Sequence, residues 1–218
     1  MLGDSLTWGH ELARHEALPA QLEAALKRRG RDVVIFNHGV SGNTTADALA
    51  RVDSVLQDKP DIVLVSLGSN DSFDYGNNNV DEVERNLGEI VGRLQAAGTV
   101  VWMAGARVNR RRGSRNLVKV AINSGLQLFG RPPAYHAQSV QYAIRFNALF
   151  ARVASRYGVA LYPHLLAGVK PHQRLDLLHP DAAGVAVIVE RLLPFVLDNL
   201  EAYGAVGVAA DSRGPTTV

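Results

Sequence analysis

Two short segments at opposite ends of the chain contain the residue types that acyl-transfer chemistry needs. Near the start, Ser5 closes the motif Gly3-Asp4-Ser5. A serine hydroxyl is a weak nucleophile at neutral pH unless a neighbouring base removes its proton. Near the other end, His179 follows Asp176 by three residues. The carboxylate can therefore accept from one ring nitrogen and leave the other free for the serine proton. A structural alternative exists for both, with Ser5 capping the next helix and His179 held in the core.

Two motifs between these segments could bind the oxygen of a substrate carbonyl. The N–H of Gly42, in Ser41-Gly42-Asn43, can approach such an oxygen with no side chain in the way. Asn70, in Gly68-Ser69-Asn70-Asp71, carries an amide that can donate to the same oxygen. Either motif alone could be an ordinary turn between a strand and a helix. The four motifs together, each beside a predicted strand or helix, favour a serine hydrolase.

Two other interpretations stay open. Gly39-Val40-Ser41-Gly42-Asn43 differs only in its last residue from the Gly-x-Ser-x-Gly elbow, so Ser41 is a second candidate nucleophile. The α/β-hydrolase fold, in which this elbow occurs, has a longer chain with more strands, which favours Ser5 over Ser41. A nucleotide-binding module is the third candidate, although the sequence has neither Gly-x-Gly-x-x-Gly after a strand nor Gly-x-x-x-x-Gly-Lys-Ser/Thr.

The pattern of apolar residues predicts an α/β fold. Short, continuously apolar segments alternate with longer segments of helical periodicity. Strands are predicted at 32–36, 61–65, 99–103 and 159–161, and helices at 12–29, 44–57, 80–97, 139–157 and 182–200. Thr44 or Thr45 is expected to cap the second of these helices and Asp181 the last. Such alternation predicts a mainly parallel sheet with helices on both faces, and the reactive groups beyond the carboxyl ends of its strands.

Two segments do not fit this alternation. Residues 106–136 are rich in arginine and long for a plain connection, so they are predicted as an insertion that serves as a lid, a substrate rim or a subunit contact. Residues 204–218 are small, polar and aperiodic, which predicts a flexible tail. Residues 1–203 are predicted to form one domain.

Composition excludes several classes of protein. The 218 residues include no cysteine, which excludes disulfides, thiolate catalysis, Fe–S clusters and cysteine-based zinc sites. A net charge of +2 gives no reason to expect a nucleic-acid partner. No apolar segment approaches the ~20 residues of a membrane span. His164 and His172 lie near Asp176 and His179 but lack metal-binding spacing, so neither a metal nor a cofactor is expected.

The four motifs resemble those of the SGNH (GDSL) hydrolase family, in particular the branch of thioesterase I/lysophospholipase L1 and related arylesterases. The resemblance implies a three-layer α/β/α sandwich of flavodoxin-like type. It implies Ser5 as nucleophile, His179 as general base and Asp176 as its partner. The oxyanion would be bound by the N–H groups of Ser5 and Gly42 and by the Asn70 side chain.

The resemblance also implies a small ester as substrate. Short-chain acyl or aryl esters are expected, with thioesters and lysophospholipids as further candidates. An acyltransferase or a catalytically impaired ligand-binding domain on the same fold is the alternative. A homo-oligomer is a candidate assembly through the 106–136 insertion. With no export signal in sight, a cytoplasmic location is expected, or a periplasmic one if a leader is missing from this chain.

Overall fold

The computed structural model describes residues 1–73, 79–108, 134–176 and 178–211. Their centre is a five-stranded sheet in the order β2-β1-β3-β4-β5, and every pairing is parallel. The strands are β1 (Leu2–Gly3), β2 (His38–Gly39), β3 (Ile62–Ser66), β4 (Val100–Ala104) and β5 (Ala160–Tyr162). The very short β1 lies inside the sheet, where Leu2 is in register with His38 on one side and Val65 on the other. The predicted parallel sheet is confirmed.

Helices cover both faces of this sheet. The α-helices are α1 (Ser5–Trp8), α2 (Leu18–Arg28), α3 (Thr45–Ala50), α4 (Val52–Leu56), α5 (Val80–Ala96), α6 (Ala134–Tyr157) and α7 (Ala182–Asp211). Short 3-10 turns lie at Arg14–Glu16, Asp71–Phe73 and Pro171–Gln173. One apolar core joins alternate residues of β3 and β4 to helices α3 to α6, and a second joins the other residues of those strands to α1, α2 and α7. The result is the predicted three-layer α/β/α sandwich.

The prediction of a buried strand at 32–36 is wrong. Pairing with β1 is limited to His38–Gly39. Val34 and Phe36 are 70% and 50% exposed, while Val33 and Ile35 pack against the second core. The segment is continuously apolar in sequence, which is typical of a strand buried on both faces. It lies instead at the edge of the sheet, and only one of its faces is covered.

Two of the predicted helices have different bounds from those expected. The segment 44–57 forms α3 and α4, which meet at Arg51 outside the helical region of backbone angles (φ −117°, ψ 13°). The segment 12–29 becomes helical only at Leu18, with Pro19 in the first turn, where its missing N–H costs nothing.

Both predicted caps are confirmed. Thr44 is the N-cap of α3, in a reciprocal capping arrangement with Asp47. Asp181 accepts from the Gly184 N–H at 2.7 Å at the start of α7.

The two irregular segments belong only in part to the described residues. Most of the predicted insertion at 106–136 lies outside the described residues, and its role stays a prediction. Helix α7 continues to Asp211, eight residues into the segment predicted as a tail at 204–218. The flexibility of that tail stays a prediction.

Candidate active site

Ser5 is the first residue of α1, directly after the short strand β1. Asp4 caps this helix, since its carboxylate accepts from the Leu6 N–H at 2.9 Å. The neighbouring strand fixes the same turn from the other side, because the Val40 N–H donates to the Gly3 carbonyl at 3.1 Å. A Cβ placed on Gly39 would collide with the backbone nitrogen of Trp8. The chain therefore needs glycine there to let β2 approach the helix that carries the serine.

The structure brings Ser5, His179 and Asp176 together in one hydrogen-bonded line. The Nε2 of His179 lies 2.9 Å from the Ser5 Oγ, and its Nδ1 lies 2.7 Å from Oδ2 of Asp176. Ser5 is buried and His179 is 18% exposed, whereas Asp176 is 49% exposed. The two ends of the chain thus meet at the carboxyl edge of the sheet. This arrangement can pass the serine proton to a ring whose tautomer is set by a carboxylate.

Asp176 is held as a carboxylate by its own loop. Its Oδ1 accepts from the N–H groups of Leu178 and His179, both at 2.6 Å. Burial opposes ionisation, but the hydrogen bonds from the His179 ring and from these two N–H groups outweigh it. The pKa of Asp176 is therefore below its ordinary value. A charged Asp176 stabilises the imidazolium that forms when His179 accepts a proton.

Asn70 is tied to the glycine motif of the next loop. Its Nδ2 donates to the Asn43 carbonyl at 2.9 Å, which uses one of the two amide hydrogens. Gly42 is exposed with φ +82°, and its N–H donates to no acceptor in the described part of the chain. The structure thus joins two of the predicted oxyanion donors in one loop pair. Within the described part of the chain, neither of them makes a hydrogen bond to Ser5.

A residue that the sequence analysis missed connects the glycine motif to the serine motif. The guanidinium of Arg51 donates to the Asn43 side chain at 2.7 Å and to the Gly3 carbonyl at 3.1 Å. A third bond goes to the His38 carbonyl at 3.0 Å. The only signal in the sequence would have been the position of Arg51 within a predicted helix after the glycine motif, which equally fits a solvated surface arginine.

Buried carboxyl groups lie directly beside the site. Burial raises the pKa of Asp4 to about 6, against the Leu6 N–H, the charge of His179 and the Ser69 hydroxyl, which favour the carboxylate. Burial also raises the pKa of Asp71, although its carboxylate accepts from the N–H and the hydroxyl of Thr45.

The alternative nucleophile is placed differently. Ser41 is exposed in the turn before α3 and makes no hydrogen bond to a histidine among the described residues. Trp8 is 55% exposed at the end of α1 and can border a substrate site. Phe73 and Tyr75 follow Asn70 closely in the sequence, but Tyr75 and the side chain of Phe73 lie outside the described residues.

The described residues contain neither a metal-binding cluster nor a membrane-spanning helix. Within the residues that the structure describes, no three histidine or acidic side chains come together in a way that could hold a metal ion. None of the described helices is long and apolar enough to span a membrane.

Known proteins match this chain over most of its length. The model of the GDSL-like lipase/acylhydrolase family matches residues 1–187. An arylesterase of Vibrio mimicus is 30% identical, over 83% of this chain and 78% of its own length. Esterase TesA of Pseudomonas aeruginosa is 26% identical, over 89% of this chain and 85% of its own length.

Solved structures agree in fold. AlinE4, an SGNH-hydrolase family esterase, has a TM-score of 0.63 at 30% identity, covering 91% of this chain and 94% of its own. The psychrotrophic esterase EstA of Pseudoalteromonas sp. has a TM-score of 0.73 at 22% identity, covering 92% and 96% of the two chains, and supports the fold alone. With the family model covering the four motifs up to His179, the chain belongs to the GDSL-like lipase/acylhydrolase family and is a serine ester hydrolase of that family.

Proposed function

We propose that this protein hydrolyses carboxylic esters through an acyl-enzyme on Ser5, with His179 as general base and Asp176 as the group that orients it. The observation that carries the proposal is the continuous hydrogen-bonded line from Ser5 Oγ through both ring nitrogens of His179 to Asp176. A serine that merely capped its helix would not need a histidine from a loop 174 residues away.

The reaction would proceed in two similar halves. Ser5 Oγ attacks the acyl carbon while His179 Nε2 takes its proton, and the ester carbonyl becomes an oxyanion. His179 then gives the proton to the departing alcohol oxygen as the tetrahedral intermediate collapses to the acyl-enzyme. In the second half, water attacks and donates its proton to His179, and Ser5 leaves with that proton.

The oxyanion would be bound by three donors. The N–H of Gly42 and the second amide hydrogen of Asn70 are the two that the loop pair supplies, because one amide hydrogen already bonds to Asn43. The Ser5 N–H, at the start of α1, is the third. Donors fixed in place before the reaction stabilise the developing charge without reorganising, and each is typically worth ~10²–10³ in turnover.

For the substrate, we propose esters with short acyl chains or aryl leaving groups. The name of the Vibrio relative, arylesterase, supports this class. The exposed indole of Trp8, the last residue of the helix that carries Ser5, offers an aromatic surface for an apolar leaving group. Thioesters and lysophospholipids are the competing substrates.

A chain-length series tests this proposal. We expect kcat/KM on p-nitrophenyl esters to be highest between acetate and butyrate and to fall towards palmitate. Ser5→Ala should abolish turnover and Ser41→Ala should leave it unchanged. Best activity on palmitate would overturn the substrate class, and full activity of Ser5→Ala would overturn the mechanism.

The same assay distinguishes the alternatives. An acyltransferase would transfer the acyl group to an added alcohol faster than to water. A catalytically impaired binding domain would bind the ester without turnover by the wild type.

A further inference from the structure

A second histidine lies against the ring of His179. The centroids of the His10 and His179 rings are 4.2 Å apart, and the ring planes are tilted by 38°. The His10 N–H donates to the carbonyl of Ser5 at 3.2 Å. His10 therefore contacts both the proposed nucleophile, through its backbone, and the proposed base, through its ring.

The backbone around His10 is held in an unfavourable conformation. Gly9 and Glu11, on either side, both lie in the left-handed region, with φ +87° and φ +57°. For Glu11 this conformation has a steric cost that glycine does not have. The Leu12 N–H closes the turn by donating to the Gly9 carbonyl at 3.0 Å. Strain of this kind persists only where surrounding contacts enforce it, and it is concentrated at functional sites.

We propose that His10 is a positioning residue that fixes the plane of the His179 ring. This inference rests on the proposed function, in which Nε2 of His179 must face Ser5 while Nδ1 faces Asp176. The hydrogen bond that Nδ1 donates to Asp176 fixes this nitrogen, but the ring can still rotate about the line through that bond. The His10 ring covers one face of the imidazole and stops this rotation. Because the backbone N–H of His10 also donates to the carbonyl of Ser5, the same turn holds both the base and the nucleophile in place.

The exposure of the Asp176 carboxylate explains why the His179 ring needs a second contact to fix its orientation. Asp176 is 49% exposed, so water competes for the oxygen that holds Nδ1. The tilted ring-to-ring contact with His10 is not weakened by such competition. A displacement of about 1 Å in a reacting group can cost on the order of a hundredfold in rate.

The test compares three substitutions at position 10 with a control. His10→Ala removes the ring, His10→Leu keeps bulk without aromaticity, and His10→Phe keeps an aromatic face. His15→Ala is the control, because His15 is an exposed histidine in the same connection that lies in a groove between α2 and α7. Each variant is assayed for kcat and KM on a p-nitrophenyl ester and for the rate at which a phosphonate labels Ser5.

We expect His10→Ala and His10→Leu to lower kcat on the order of tenfold. KM should stay within about twofold, and phosphonate labelling should slow by the same factor as kcat. His10→Phe should recover most of the wild-type kcat, and His15→Ala should match the wild type.

Three outcomes would overturn the proposal: a wild-type kcat in His10→Leu, a change confined to KM, or a His10→Phe variant no faster than His10→Leu. These comparisons hold even if His10→Ala does not fold. Failure of the proposed function is seen separately, as full turnover by Ser5→Ala.

Discussion

The carboxylate of Asp71 accepts three hydrogen bonds from Thr45, from the backbone N–H at 3.0 Å and 3.1 Å and from the hydroxyl at 2.6 Å. Both side chains are buried. Asp71 directly follows Asn70, and Thr45 begins the helix after Gly42 and Asn43. This contact therefore fixes the distance between the two loops that supply the proposed oxyanion donors.

Loss of the Thr45 hydroxyl should impair both stability and turnover. Thr45→Val leaves the buried Asp71 carboxylate with fewer donors, which should cost about 1–3 kcal/mol of the free energy of unfolding. Turnover should also fall, because the loop that carries Asn70 is then held less firmly against the loop that carries Gly42. Urea unfolding and kcat on a p-nitrophenyl ester measure the two effects.

Thr99→Val is the matched control for this change. The Thr99 hydroxyl donates to the Pro60 carbonyl at 3.2 Å. Thr99 directly precedes β4, at the amino ends of the strands and away from the candidate active site. Thr99→Val should therefore lose stability and keep the wild-type kcat. Equal losses of kcat in both valine variants would contradict a specific role for the Thr45 contact.

Asn70→Ala tests the oxyanion donor itself. We expect kcat to fall ~10²–10³-fold, since the amide would act mainly in the transition state, with little change in KM. Asn199→Ala, which removes a side-chain amide bonded to the Phe195 carbonyl in α7, is the control and should be fully active. A wild-type rate for Asn70→Ala would refute the assignment.

The close approach of Gly39 to α1 predicts a steric effect. A methyl group at this position meets the backbone of Trp8, which cannot move without moving Ser5. Gly39→Ala should therefore destabilise the protein by about 1–3 kcal/mol and reduce turnover.

Gly92→Ala is the matched control, because at this position there is room for the added methyl group. Its Cβ would lie 3.4 Å from the Tyr157 ring, within ordinary contact, in the middle of α5. Alanine is favoured over glycine in a helix by up to ~1 kcal/mol, so this variant should be as stable as the wild type or more so. Thermal unfolding of both variants checks the sign, and an unchanged Gly39→Ala would contradict the close approach.

Asp4 predicts a pH dependence of stability. Burial raises its pKa from 3.8 to about 6, so the folded state holds this proton more tightly than the unfolded chain does. Its contribution is fully present below pH 4 and is lost as pH rises through 6. Asp4→Asn does not titrate and keeps an oxygen to cap α1. Between pH 4 and 6.5 the variant should gain about 2 kcal/mol of unfolding free energy relative to the wild type. Parallel stability curves for the two proteins would contradict the raised pKa.

The placement of the catalytic motifs was predictable from sequence, because each motif fits only a few local backbone arrangements. Gly-Asp-Ser before a helix and Asp-x-x-His before another place both ends of the chain at one edge of a parallel sheet. The apolar pattern also predicted β3, β4 and β5 within one or two residues. These features depend on local sequence and on the rule that parallel strands end at the same edge.

The remaining features depend on tertiary contacts that the local sequence does not encode. Arg51 reaches the serine turn only because α3 and α4 break at that residue. His10 reaches His179 only because a strained turn places it there. The segment at 32–36 has the apolar run of a central strand, but strand order puts it at an edge. None of these three outcomes can be predicted from its neighbouring residues alone.

The most direct test of the account is whether His179 activates Ser5. The protein is treated with a p-nitrophenyl phosphonate, the released nitrophenol gives the rate, and peptide mass spectrometry locates the modified residue. The account predicts one phosphonyl group per chain on Ser5, none in Ser5→Ala, and labelling slowed at least a hundredfold, on the order of a general base's contribution, in His179→Ala. Labelling at Ser41, or an undiminished rate on Ser5 in His179→Ala, would contradict it.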